Sequence, residues 1–290
     1  MADKEGVIIK GVAGVYTVRA EGGHYTCTAR GVFRNRDIVP MVGDEVNFAA
    51  TGIDEKSGEN IGTIHTIKPR RNALRRPAAA NIDQVIITMA AAQPAFQPGL
   101  LDRFLVLAAF EGIETVICIN KADLDKSRAV YEPYQQAGYI LVFTSLKTGA
   151  GLDELRSLMA GKLNVFAGPS GVGKSSLINA ICAEARQETG DISAKLKRGK
   201  HTTRHAEILQ LKNEEDAGYC VDTPGFSSLE TGDIPRRAMP RLFKEFTPFL
   251  DGCRFSDCMH DREKDCAVKA QVGVGIARSR YESYLKMIAL

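Results

Sequence analysis

No apolar run in the 290-residue chain approaches the ~20 residues needed to cross a bilayer, so a membrane partner is not expected. The opening residues, Met1 to Glu5, are charged and supply no apolar signal core, which leads us to expect a cytoplasmic protein. A disulfide framework is lacking too: seven cysteines is an odd number, and disulfides are rare in the cytosol. Net charge is only +3, too small to announce a nucleic-acid partner, so local basic clusters must carry any such argument. Internal repeats and low-complexity tracts are absent. What is present is an ordinary globular composition with room for about two or three domains. The chain is expected to act as a monomer.

Three regions follow one another. Residues 6–68 read as short β-branched strands over 6–9, 15–18, 24–27, 44–48 and 62–67, separated by turn residues. A five-stranded barrel of the oligonucleotide-binding (OB) type is expected over 1–70. Strand count alone leaves open whether such a barrel binds nucleic acid, protein or nothing. A basic connector, Lys68-Pro69-Arg70-Arg71 to Arg75-Arg76-Pro77, is either a solvated linker or a set of phosphate contacts. Over 71–229 strands alternate with helices, which predicts a mostly parallel α/β sheet with ligand loops at the C-terminal ends of its strands. Residues 230–290 read as a helical domain with a Cys/His cluster. Cys118, Cys182 and Cys220 lie in or beside apolar runs and are expected as buried small hydrophobes.

The segment Gly168-Pro169-Ser170-Gly171-Val172-Gly173-Lys174-Ser175-Ser176 matches G-x-x-x-x-G-K-[ST] between an apolar strand and a helix. Its glycines let backbone N–H groups approach phosphates, and the helix N-terminus favours negative charge. Lys174 would contact the β- and γ-phosphates, and Ser175 would ligate Mg²⁺. In Asp222-Thr223-Pro224-Gly225, Asp222 would hold Mg²⁺ through water and the Gly225 N–H would sense the γ-phosphate. Asn120-Lys121-Ala122-Asp123 selects the base. The Asp123 carboxylate can accept from guanine's ring N–H and exocyclic amine, and a base without that donor pair is rejected by about 10⁴-fold or more. Asn120 would brace neighbouring loops, the Lys121 stem would cover one face of the ring, and the Ser145-Leu146-Lys147 turn would offer backbone N–H to the guanine carbonyl. Each motif alone can be an ordinary loop. Together, at the ends of apolar strands, they point to a GTP site and away from an ATPase or kinase.

The order of the motifs is permuted, since the base-reading tetrapeptide precedes the phosphate loop. Gly199-Lys200-His201-Thr202-Thr203 reads as the first switch, with Thr203 (Thr202 as second choice) closing onto Mg²⁺ and the γ-phosphate. Phe226 stands where Ras-like enzymes carry a water-orienting Gln, and a phenyl ring cannot orient water by hydrogen bonding. His201 is the best local catalytic substitute, an exposed switch histidine without duty being the alternative. Finally, Cys253-x₄-Cys258-x-His260-x₅-Cys266 offers three thiolates and an imidazole, the donor set of a closed structural zinc site. Such a metal would fix a module expected to have little apolar core of its own.

These motifs, with G-K-H-T-T at 199–203 and D-T-P-G-F at 222–226, closely resemble the circularly permuted, ribosome small-subunit-dependent GTPases of the RsgA or YloQ type. The resemblance covers nearly the whole chain, including the terminal Arg280-Tyr281-x-x-Tyr284 helix; Lys200, where the family usually has Arg, is a small departure. It implies binding of the small ribosomal subunit and its rRNA, subunit-stimulated hydrolysis of GTP to GDP, a role in late subunit maturation, one structural Zn²⁺, and Mg²⁺ with the nucleotide. A GTP-dependent switch acting on a protein partner is the alternative function.

Overall fold

The structure is a computed structural model and describes residues 3–31, 33, 38–55, 57–75, 78–182, 206–212, 218–222 and 234–289. Strands β1 (Asp3–Val12), β2 (Val15–Ala20), β3 (Gly23–Ala29), β4 (Glu45–Ile53) and β5 (Asn60–Ile67) pair in the order β1-β2-β3-β5-β4, and β4 returns to β1. The β3–β5 pair is parallel and its neighbours antiparallel, so the barrel closes with no free edge in the OB-fold manner. Alternating side chains Ile8, Val18, Cys27, Val46, Phe48 and Ile64 are fully buried and fill its interior.

The basic connector is not a loose linker. Strand β6 (Ala73–Arg75), within it, pairs antiparallel with β7 (Ala78–Ala80), which follows it. Arg70 forks onto Asp44 at 2.7 and 2.8 Å, and Arg71 reaches Asp83 at 2.8 Å. These two arginines are engaged by carboxylates of the protein itself. Beside Asp44, Gly43 holds φ +87°, and a Cβ there would lie 2.1 Å from the Ala80 carbonyl oxygen, so only glycine fits.

The α/β region runs β8 (Gln84–Ala90), α1 (Pro98–Phe110), β9 (Glu114–Asn120), α2 (Glu132–Gln136), β10 (Ile140–Phe143), α3 (Leu152–Met159), β11 (Leu163–Ala167), α4 (Lys174–Ile181), β12 (Ala206–Gln210) and β13 (Tyr219–Asp222). Every residue of β8 is buried, the near-continuous apolar run of a strand covered on both faces. Pro98 opens α1, where its missing N–H costs nothing. Two compact units are present, one from 1–84, 156–166 and 175–226, the other from 85–155, 167–174 and 227–290. In the first, strands run β11-β13-β12 and then continue into the barrel through β1. Glu207 of β12 stands opposite Lys10 of β1 on one side and Asp222 of β13 on the other. Nothing in the sequence had marked β12. In the second unit the order is β10-β9-β8, with β9 and β10 parallel.

The region beyond 234 is less α-helical than its sequence suggests. Arg236–Leu242 and Lys244–Gly252 form 3-10 turns, and only α5 (Ala267–Ala270) and α6 (Arg278–Ile288) are α-helical. Pro240 and Pro248 lie inside the 3-10 segments and cannot donate an i→i−4 bond. Its core is also richer than expected. Phe243, Phe246, Val268, Ile276 and Tyr284 pack with Val106 of α1 in one buried cluster. Among the described residues no helix is long and apolar enough to cross a membrane.

Asp44 is fully buried, accepting from the Met41 N–H at 2.7 Å as well as from Arg70. Asp44→Ala strands those donors and is expected to cost about 2–3 kcal/mol in urea unfolding; an unchanged midpoint would remove Asp44 from the barrel's supports.

Candidate functional site

The phosphate loop leaves β11 at Gly168, which holds φ +138°. A Cβ there would lie 2.0 Å from the Thr88 carbonyl oxygen on β8, so the loop turns over the strand at a distance only glycine permits. Gly171 and Gly173 also hold positive φ, the geometry that turns successive N–H groups to one side. Lys174 opens α4 and donates to the carbonyls of Gly168 and Pro169 at 2.7 and 2.8 Å. Burial lowers its pKa from the ordinary lysine value. Ser175 and Ser176 are exposed in the first turn of α4, and Asp222 ends β13.

The Asn120-Lys121-Ala122-Asp123 tetrapeptide meets this loop directly. Asn120, 1% exposed at the end of β9, donates from Nδ2 to the Val172 carbonyl at 2.8 Å. Gly173 has no room for a Cβ, which would fall 2.5 Å from that same nitrogen. Lys121 holds φ +58° and donates from Nζ to the carbonyls of Gly171, at 2.8 Å, and Gln93. The Asn120 oxygen accepts from the Thr144 hydroxyl at 3.2 Å, and the Ala122 N–H donates to the Thr144 carbonyl at 3.0 Å. Asp123 accepts from the Ser145 hydroxyl at 2.6 Å, which holds its carboxyl below the usual range. The Ser145 N–H is already bonded to the Ala150 carbonyl, so within the Ser145-Leu146-Lys147 turn the base can be met by the Leu146 and Lys147 amides. Sequence inspection missed the bracing by Thr144 and by the Gln93 carbonyl. The Thr144 hydroxyl had a visible signal, lying directly before the turn; the Gln93 carbonyl had none, since backbone groups carry no motif.

His201, Thr202, Thr203, Gly225 and Phe226 lie outside the described residues.

The second constellation is the cluster of Cys253, Cys258, His260 and Cys266, whose ligand atoms all lie within 4.8 Å of one another. Cys253 Sγ is 3.8 Å from Cys266 Sγ and 3.5 Å from His260 Nδ1, which in turn is 3.3 Å from Cys266 Sγ. Tetrahedral zinc with bonds of about 2.3 Å to sulfur and about 2.0 Å to nitrogen needs S–S edges of about 3.8 Å and S–N edges of about 3.5 Å. The four donors fit a metal ion. Burial lowers the His260 pKa and favours the neutral, ligating imidazole. Against the upward push of burial, the N–H groups of Val268 and Ala267 hold the Cys253 thiol below its ordinary value. The Cys266 sulfur caps α5 by accepting from the Lys269 N–H at 3.4 Å. The four expected ligands are thus brought together. Cys118, Cys182 and Cys220 are buried elsewhere, as expected of small hydrophobes.

A family model described as RsgA GTPase matches residues 67–232, and one described as RsgA N-terminal domain matches residues 5–58. The small ribosomal subunit biogenesis GTPase RsgA of Caldanaerobacter subterraneus is 46% identical over 288 residues, covering 98% of this chain and 94% of the relative. Its namesake in Alkaliphilus metalliredigens is 43% identical over 288 residues, covering 98% and 96%. The crystal structure of YjeQ from Thermotoga maritima superposes with a TM-score of 0.81 at 38% identity, over 99% of this chain and 98% of that one. That of YloQ, a circularly permuted GTPase, gives a TM-score of 0.78 at 35% identity, over 99% and 94%.

Cys266→Ser is expected to abolish stoichiometric metal binding and lower the thermal midpoint, read by atomic emission and a melting scan. Full metal content in the variant would refute the four-ligand set.

Proposed function

The chain belongs to the RsgA GTPase family, and on that footing we propose that it hydrolyses GTP to GDP and phosphate in the biogenesis of the small ribosomal subunit. The observation that carries the nucleotide half of the proposal is the Asn120–Val172 bond, which holds the base-reading strand end against the phosphate loop. The residues of the site are Asn120, Lys121, Ala122, Asp123, the Ser145-Leu146-Lys147 turn, Gly168 through Ser176, Asp222 and Gly225. Asp123 accepts from the two guanine N–H donors, kept ionised by the Ser145 hydroxyl. The Lys121 stem lies along the base, and the Leu146 and Lys147 amides face its carbonyl. The loop amides of Gly171 to Lys174 receive the phosphates, with the Lys174 ammonium turning from loop carbonyls to β- and γ-oxygens.

Ser175, Thr203 and Asp222 offer the hydroxyl and carboxylate oxygens that suit Mg²⁺, whose chemistry when bound is to neutralise charge developing on the phosphates. In hydrolysis, water adds to the γ-phosphorus and the bond to the β–γ bridging oxygen breaks, GDP leaving with the electron pair. His201 is the side chain we assign to orienting that water, since Phe226 cannot do so. The Cys253, Cys258, His260 and Cys266 cluster takes one structural zinc, because four protein donors leave no open position for catalysis. Division of labour follows the chain: an OB barrel over 1–70 for rRNA, a permuted GTPase domain over 71–229, and a zinc domain over 230–290. The protein acts as a cytoplasmic monomer on the subunit.

Calorimetry of the metal-loaded protein should give GDP at least about 10⁴-fold preference over ADP, and GTP turnover should rise with small subunits but not with large subunits or naked RNA. Absence of guanine preference overturns the nucleotide site; equal stimulation by all three additives, or by none, overturns the ribosomal role. His201→Ala is expected to lower turnover with little change in GTP affinity, and unchanged turnover would dismiss that assignment.

A further inference from the structure

Asp102 is an anomaly on α1: a carboxylate 1% exposed in the middle of an apolar face. Its partner is Arg280 of α6, itself 1% exposed, whose Nη1 donates to Asp102. The same guanidinium donates from Nε to Glu245 at 2.6 Å and from Nη2 at 3.3 Å. Its plane is lined by aromatic rings, with centroids at 4.8 Å for Phe243, 5.3 Å for Tyr134 and 5.8 Å for Tyr139. A buried ion triad is a poor device for stability alone, since well-packed apolar residues of the same volume often serve as well or better. Its distinctive property is directional: a fork bound at both ends fixes how one helix sits on another.

Contacts run from this triad both ways. Towards the cluster, Tyr281 one residue on donates to the His260 carbonyl at 2.6 Å, and Tyr284 donates to the Met259 carbonyl. Towards the base, the Tyr134 hydroxyl donates to the Pro98 carbonyl at 3.3 Å and its ring meets Phe96 at 6.3 Å. Phe96 packs edge-on against Tyr131 at 4.8 Å, and Tyr131 against Phe143 at 5.4 Å. Phe143 is followed by Thr144, which braces Asn120, and by Ser145, which braces Asp123.

We propose that Arg280 is a positioning residue for guanine recognition, coupling metal occupancy of the Cys253–Cys266 cluster to the placement of Asn120 and the Ser145-Leu146-Lys147 turn. Metal and guanine nucleotide then bind with positive cooperativity although neither touches the other. The inference rests on the guanine site proposed above. By reciprocity, whatever the metal adds to nucleotide affinity the nucleotide returns to metal affinity.

The test compares the GDP dissociation constant of the full-length protein, zinc-loaded and chelator-stripped, in wild type and in Arg280→Lys, which keeps the charge and loses the fork. Stripping is expected to weaken GDP binding to wild type by about tenfold, and to Arg280→Lys by less than about twofold. An unchanged constant in stripped wild type, or an equal loss in both proteins, overturns the proposal, because a residue that only supports folding would leave the ratio intact. Should Arg280→Lys not fold, Asp102→Asn carries the comparison: it keeps the shape of the side chain but removes the charge that holds the Arg280 fork on α1, so the loaded-to-stripped ratio falls towards one if the triad couples the sites and keeps its wild-type value if not. Amide exchange across 143–147, measured without nucleotide, should quicken on stripping; no change there also sinks the coupling. If zinc-loaded wild type binds no guanine nucleotide at all, the functional assignment fails, and the exchange measurement still decides the coupling.

Discussion

One side-chain amide joins the Asn120-Lys121-Ala122-Asp123 strand end to the glycine-rich loop at 168–174, the two halves of the proposed nucleotide site. Asn120 ends β9, and its Nδ2 reaches the Val172 carbonyl 52 positions further along the sequence. That bond is buried, so neither partner has water to fall back on, and an orphaned amide or carbonyl there costs the full desolvation of the group. The surroundings conform to it. Gly173 has no Cβ because Asn120 occupies the space, Thr144 holds the other end of the amide, and Lys121 adds a second tie to the same loop at Gly171. A permuted chain is tolerable for the same reason. What a nucleotide site requires is that strand ends converge, and a hydrogen bond is indifferent to the order in which the chain visits them.

The C-terminal module shows the opposite economy. Its turns are short, two prolines interrupt its 3-10 segments, and its α-helices are few. Local helix formation is too weak to define such a module, because short helices depend on tertiary packing. Two devices of long reach take over: the four-donor cluster, and a core of Phe243, Phe246 and Tyr284 built partly from α1. The Arg280 triad adds direction to a core that would otherwise specify only proximity. The Cys/His module is therefore part of the unit that carries Asn120 to Asp123 and the Ser145-Leu146-Lys147 turn.

The barrel is tied to its own unit through backbone. Strand β1 adds to β12, and Lys10 and Glu207 make an ion pair at 2.8 Å across that seam. Both side chains are well exposed, so the pair itself contributes little; the ladder and the burial around it set the register. Arg70, from the basic run, is drawn onto the buried Asp44 carboxylate of the barrel, whereas Arg71 keeps an exposed side chain while reaching Asp83.

The glycine-rich loop between an apolar strand and a helix, the Cys/His spacing and the five barrel strands were legible in the sequence. Each is written in residues close together, where backbone conformation and side-chain type determine one another: glycine at a tight turn, β-branched runs between turns. Strand β12, the pairing of β6 with β7, the 3-10 character of 236–252 and the Asp102–Arg280–Glu245 triad were not legible. Asp102 and Arg280 are 178 positions apart, and nothing local tells a buried aspartate from a solvated one. Only the packed structure decides that, because the cost of burying a charge depends on what folding brings alongside it.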